Sequence, residues 1–255
     1  MKLKSLFAVS VFLMAPLALP ALASPAADCA KQTLEQRVDG ALAAADRPAD
    51  QRERDAVRKA EVTFLLSHVK PGDRVLDIGA GQGYASWLLS SAVCNGHVVS
   101  QNPQGWVDYY KMGPARDAMA AARKNISLLT VDFDKIPASA KPYDVIFMGM
   151  VYHDTYNEKG HDTAKLTASL KSLLKPGGLI VITDHDTAAG KGFSETNTTH
   201  RIEKAQVLAD FKAAGFTVAE DSAVLANTSD DHTKNVFDPA IRGKTDRMAL
   251  VFRKP

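Results

Sequence analysis

The stretch VLDIGAGQGYAS, Val75 to Ser86, constrains what this chain can fold into more than any other. Val75, Leu76 and Ile78 form an apolar run that reads as a buried strand. Gly79, Gly81 and Gly83 make a turn, and Tyr84 to Val93 reads as a helix. Strand, glycine turn and helix is the layout of a dinucleotide-type unit. Two details argue against a dinucleotide. The spacing is G-x-G-x-G, not G-x-G-x-x-G, and Asp77 stands two residues before the first glycine, at the mouth of the site. A pyrophosphate uses the amides and dipole at a helix start, and a carboxylate facing it is unfavourable. A ligand with a cationic amine beside a cationic sulfur would welcome Asp77. The alternative is a purely structural strand-to-helix turn.

The rest of the chain extends the same alternation. Strands are expected at Arg74–Gly79, His97–Gln101, Ser127–Val131, Tyr143–Met148 and Leu179–Asp184, with two late ones near Phe216–Asp221 and Arg247–Phe252. A helix is expected over Gln51–Val69, where Val57, Ala60, Phe64, Leu65 and Val69 recur at helical spacing. Another is expected over Asp162–Lys175, with Leu166, Leu170, Leu173 and Leu174 on one face and Pro176-Gly177-Gly178 as its stop. Ile202–Ala214 is expected to be helical, closed by Gly215. Alternation of this kind predicts an α/β fold: a Rossmann-like, doubly wound sheet of seven mostly parallel strands with an antiparallel last strand, in a single domain. The runs VIFM and LIVIT suit strands buried on both faces. Ligands of such sheets bind beyond the carboxyl ends of the strands. That rule selects DIGAGQG, QNP, VDFD, GMVYHD and TDHD.

The N-terminus reads separately. Lys2 and Lys4, an apolar stretch and Ala21-Leu22-Ala23 form a secretory leader over residues 1–23, with an uncleaved anchor as the alternative. An alanine-rich arm, loosely packed and with some helix, is expected over 24–47 and the folded domain over 48–255. The chain has 31 basic and 29 acidic residues; without Lys2 and Lys4 the balance is 29 to 29. The expected protein is therefore neutral, periplasmic or secreted, without a nucleic-acid partner, and off the membrane once the leader is cleaved. Cys29 and Cys94 are free to pair in an oxidising compartment, or Cys94 is a buried free thiol and Cys29 frays.

With these residues in place, the chain resembles the class I S-adenosylmethionine-dependent methyltransferases. The resemblance rests on VLDIGAGQG, VDFD, YDVIF and LKPGGLIVITD, which span Val75 to Asp184 in the family's order. The chain also looks like a narrower group of exported bacterial predicted methyltransferases, through QNP, YHD, THRI and TKNVFDPAIRGKTD. The resemblance implies S-adenosylmethionine as cofactor, with Asp77, Gly79, Ala80, Gly81, Gly83 and Tyr84 around its methionine part. It also implies Asp132 and Phe133 by the adenine, and Met148 at the end of the fourth strand. Most family members end the second strand with an acidic residue that takes the ribose hydroxyls. Here Gln101 or Asn102 stands there, without the charge assistance of a carboxylate.

Methyl transfer from a sulfonium needs an aligned acceptor and, for a hydroxyl or protonated amine, a base. His153 is the expected base, with Asp154 acting on its charge or orientation and Tyr152 binding or stacking on the acceptor. The alternative is that Tyr152 and His153 only close the cofactor pocket. His185, His200, Arg201 and Arg242 are the expected acceptor-binding residues; for the first three, loop hydrogen bonding at a helix start is the competing role. Thr233–Asp246 reads as an acceptor-side lid. Arg47, Arg52, Arg54 and Arg58 read as a second lid or as a solvated helix face. No metal is expected: His153, Asp154, Asp184 and His185 could converge at the strand edge, but their spacing matches no preformed ligand motif. Two functions follow: an exported methyltransferase of a small-molecule acceptor, or a non-catalytic protein that binds a nucleoside-like ligand on the same scaffold.

Overall fold

The computed structural model describes residues 29–139 and 141–255. The expected leader lies outside the described residues. The chain begins with helix α1 (Leu34–Ala43), whose Thr33 and Gln36 cap each other reciprocally. A single turn, α2 (Ala49–Arg52), and helix α3 (Asp55–Ser67) follow. The alternating part then runs β1 (Arg74–Ile78), α4 (Tyr84–Ala92), β2 (His97–Asn102), α5 (Gln104–Tyr109), α6 (Gly113–Ala122) and β3 (Ile126–Thr130). After a 3₁₀ turn at Phe133–Lys135 come β4 (Tyr143–Gly149), α7 (Tyr152–Thr155), α8 (Thr163–Leu173), β5 (Leu174–His185), α9 (Lys204–Ala213), β6 (Thr217–Ser222) and β7 (Arg247–Arg253).

The seven strands form one sheet in the order β3-β2-β1-β4-β5-β7-β6. All neighbours are parallel except that β7 runs antiparallel to both β5 and β6. The order reverses between β1 and β4, so the carboxyl ends of those strands open a crevice. Successive residues of each central strand enter opposite cores. Val145 and Phe147 pack with α1, α3 and α4, while Ile146 and Met148 pack with α8 and α9. Burial on both faces is what the unbroken apolar runs required.

Three local expectations are corrected. The Gln51–Val69 helix is broken at Glu53-Arg54 into α2 and α3, and the inward face is Val62, Phe64, Leu65 and Leu66. Val57, expected on that face, is 59% exposed, and Ala60 is exposed as well. Pro176-Gly177-Gly178 does not stop a helix. α8 ends at Leu173, and the Pro-Gly-Gly lies inside the start of β5, where the β4–β5 register shifts and a proline is tolerated. The arm is not loosely packed. Val38 and Ala41 are buried against α3 and α4, Arg37 donates to the Val69 carbonyl at 2.6 Å, and buried Arg47 makes a bidentate pair with Asp55. A Cys29–Cys94 disulfide, with Cα atoms 5.9 Å apart, joins the arm to the end of α4.

Candidate functional site

The glycine turn leaves β1 with Gly79, Gly81 and Gly83 all at positive φ. At Gly79 a Cβ would stand 2.3 Å from the Val151 Cγ2, whereas nothing lies within 4 Å in front of Gly81. Gly79 is thus required by packing, and Gly81 by φ with an open approach for a ligand. Two side chains from β2 hold the turn. Gly79 N–H donates to Gln101 Oε1 at 3.1 Å, and Gln101 Nε2 donates on to the Val131 carbonyl at 2.6 Å. Gly81 N–H donates to Asn102 Oδ1 at 2.8 Å, and Asn102 Nδ2 donates back to the Gly81 carbonyl at 3.1 Å. Both amides are fully buried. They were expected to face a ribose; they are taken up by the turn instead. The pairing also explains the Asn102 amide: a carboxylate cannot both donate to and accept from the backbone of one residue.

Over this turn lies a cavity of about 470 Å³, walled by Asp77 and the glycines, by Arg54, Arg58 and Tyr84, and by His185 and the β6–β7 loop. Asp77 accepts from Ser86 Oγ at 2.6 Å, and its burial pushes its pKa up to about 7. Tyr84 donates to Asp55 at 2.8 Å, and its ring carries the guanidinium groups of Arg58, Arg54 and Arg47 at 4.2, 4.9 and 5.5 Å. Fully buried Glu61 accepts a bidentate pair from Arg58 at 2.6 and 2.9 Å, and contacts from Arg247 and Thr183 at 3.2 Å each. Burial disfavours its charge, but Arg58 and then Arg247 outweigh burial and lower its pKa. Arg54 and Arg242 make no ion pair among the described residues and line the same cavity. From the segment expected to be a lid, Val236, Phe237, Arg242, Gly243 and Thr245 line the cavity. The four arginines from Arg47 to Arg58 divide between a buried ion pair (Arg47), stacking on Tyr84 (Arg54, Arg58) and solvent (Arg52).

The residues after β4 and β5 are arranged differently from expectation. His153 is 3% exposed; its Nδ1 lies 2.7 Å from Asp184 Oδ1, and its Nε2 faces Asp154 Oδ1 at 3.3 Å. Burial disfavours its cation, but Asp184 and then Asp154 outweigh burial and raise its pKa to about 10. Both ring nitrogens thus face carboxylates, and neither opens into the cavity over the glycine turn. Tyr152 is a core residue: it donates to Asp210 at 2.8 Å and packs edge-on with Tyr156 and tilted against Phe211. Arg201 is fully buried, paired with Asp230 at 2.9 Å and bonded to the Asp186 and Lys234 carbonyls, so it holds the loop before α9 and is not open to an acceptor. Met148 is wholly buried on the far face of β4; its neighbours Phe147, Gly149 and Met150 reach the cavity. Asp132 pairs with Lys135 at 2.7 Å, and it lines with Phe133 a separate cleft of about 160 Å³.

Of the residues expected to bind an acceptor, two line the cavity and a third packs on one of its walls. Arg242 and His185 line the cavity, and His200 packs on the lid's Phe237 with ring centroids 5.0 Å apart. His185 Nδ1 lies 2.8 Å from Thr245 Oγ1, and burial lowers its pKa to about 4, so it is neutral at ordinary pH. The residues that sequence reasoning missed are Glu61, Arg247 and Thr245. Glu61 had a signal: it occupies an inward slot of an amphipathic helix, where an acidic residue demands a buried partner.

A family model described as a methyltransferase domain matches residues 50–220. Tenellin synthetase of Beauveria bassiana is 28% identical over 128 residues, which make up 49% of this chain and 3% of that protein. The chain thus spans only a small part of that relative's length. A SAM dependent methyltransferase from Aquifex aeolicus superposes with a TM-score of 0.57 at 21% identity, over 88% of this chain and 100% of that one. The [4+2]-cyclase SpnF superposes with a TM-score of 0.55 at 18% identity, over 81% of each chain. Likeness at these identities shows the fold, a scaffold that hosts more than one chemistry.

Proposed function

The chain belongs to the methyltransferase domain family, and from that premise we propose that it transfers the methyl group of S-adenosylmethionine to a small anionic acceptor held under the β6–β7 loop. The observation that carries this reading is Asp77, a buried carboxylate at the wall of the cavity beside a glycine turn open at Gly81. These residues fit the cofactor's methionine part: Asp77 would meet its cationic end, and the arginine side of the cavity its carboxylate. Phe133 and Asp132 would take the adenine at the neighbouring cleft. Bound there, the cofactor supplies an activated methyl group.

The chain's own residues then have to orient an acceptor and take its proton. Arg54 and Arg242 attract an acceptor that carries a carboxylate or phosphate. His185 is the base. With its Nδ1–H donating to Thr245, its other nitrogen is left to the cavity with a lone pair. A hydroxyl proton becomes strongly acidic as its oxygen bonds to the methyl carbon and the carbon–sulfur bond breaks, so a weak base suffices. The expected leader and the disulfide that anchors Cys29 both support an exported protein.

A second reading keeps one observation in its favour. Gln101 and Asn102 are both engaged with the turn, which removes the usual ribose acceptor and suits a scaffold that binds a nucleoside-like ligand without turnover. Calorimetric titration with S-adenosylmethionine and its demethylated product tests both readings. Binding that disappears in Asp77→Ala is the expected outcome; no binding at millimolar ligand overturns the first reading. Demethylated product released in an acceptor screen, and reduced about 10²–10⁴-fold in His185→Ala with binding retained, separates turnover from binding alone.

A further inference from the structure

Beside the cavity, α7 and the loop before α9 bring together a group with no part in the reading above: His153 Nε2, Asp154 Oδ1 and His200 Nδ1, all within 4.8 Å of one another. His153 is nine-tenths buried and its ring is fixed from behind by the 2.7 Å contact between its Nδ1 and Asp184. That contact leaves Nε2 aimed at Asp154, at 3.3 Å, while His200 Nδ1 stands 3.7 Å from the same oxygen. A proton shared by such charged partners draws them to about 2.7–2.9 Å, as it does on the Asp184 side. The ligand atoms of a four-coordinate ion with bonds of about 2.0–2.1 Å stand about 3.3–3.4 Å apart. The open spacing on the Nε2 side therefore matches an ion better than a hydrogen bond.

We propose that His153, Asp154 and His200 bind a divalent transition-metal ion, with Asp184 as the carboxylate that orients His153. Two imidazoles and one carboxylate select zinc, cobalt or iron(II) over magnesium or calcium. The carboxylate–histidine–metal arrangement is complete in this chain, Asp184 being wholly buried and hydrogen-bonded also by the backbone N–H groups of His153 and His185. Solvent reaches the group, since the Asp154 and His200 side chains are 22% and 30% exposed. Three protein ligands leave a coordination position open. His200 packs on Phe237 of the lid, so the ion stands next to the acceptor end of the cavity, where it would bind an oxygen of an anionic ligand.

The test uses the purified full-length protein, stripped with chelator and titrated with Co²⁺, read by its visible absorption, and then with Zn²⁺ in competition. One equivalent of bound Co²⁺ with a four- or five-coordinate spectrum, displaced by Zn²⁺, is expected. Asp154→Ala and His200→Ala abolish the signal, and Asp184→Asn weakens affinity about 10–100-fold. His232→Ala, whose imidazole pairs with Asp246 and is not among the three ligands, leaves it intact. Asp154 and His200 are partly exposed and Asp184 is buried, so circular dichroism checks the fold of every variant. Absence of stoichiometric Co²⁺ binding overturns the proposal, and so does binding that survives in folded His200→Ala.

Discussion

Asn102 and Asp77 show how far a single atom type decides this site. Asn102 donates to the carbonyl and accepts from the N–H of Gly81 in the glycine turn. Asn102→Asp removes the donor and sets a carboxylate against the Gly81 carbonyl, so it is expected to cost about 1–3 kcal/mol of stability and to weaken cofactor binding. Denaturant unfolding and calorimetry check this; tighter binding in the variant would show that the side chain is free to face the ribose. Asp77 gives a pH signature. Its folded pKa is raised to about 7, so the proton it holds stabilises the ligand-free protein at low pH, and that contribution is lost as pH rises from the ordinary carboxylate range through about 7. A cationic ligand favours the ionised form. Affinity for S-adenosylmethionine is therefore expected to fall about tenfold per pH unit below about 7 and to level off above it. Asp77→Asn should flatten both profiles, measured by calorimetry and by thermal unfolding across pH.

At the scale of elements, α3 carries the strongest coupling. Glu61 lies inside the helix and ties Arg58 on its own element to Arg247 on β7 and Thr183 on β5. Glu61→Gln leaves two largely buried guanidinium groups facing a neutral amide. A loss of about 3–5 kcal/mol in unfolding free energy is expected, because an uncompensated charge stays behind. A loss under 1 kcal/mol would mean that water reaches the pair. The elements were mostly legible in the sequence, since period and turn chemistry act over a few residues. Strands at His97, Tyr143 and Arg247 begin where the alternation places them. The break at Glu53-Arg54 was not legible, because α3 takes its face from contacts with α1 and α4 and not from its own spacing. Nor was the extension of β5 back to Leu174, which depends on pairing with Tyr143.

Across the whole molecule, the disulfide joins residues 65 apart in the sequence and fastens α1 against α3 and α4. Closing a loop of that length removes unfolded-state entropy worth about 4 kcal/mol in the chain-entropy model. Reduction, or Cys29→Ser with Cys94→Ser, is expected to lower unfolding free energy by up to that amount and to expose the α1–α4 contact to proteolysis. An unchanged unfolding midpoint would show that the arm docks by packing alone. The sequence by itself determined the layered α/β architecture, the glycine turn with Asp77 at its mouth, and the strand edge where the chemistry gathers. These follow from short-range rules: doubly buried strands read as apolar runs, and a tight turn at positive φ reads as glycines. The tertiary structure alone decided which polar groups remain available. His153 meets Asp184 across 31 residues, Tyr152 meets Asp210 across 58, and His185 meets Thr245 across 60. A side chain's proton affinity and its freedom to meet a ligand depend on such partners, and no local pattern encodes them.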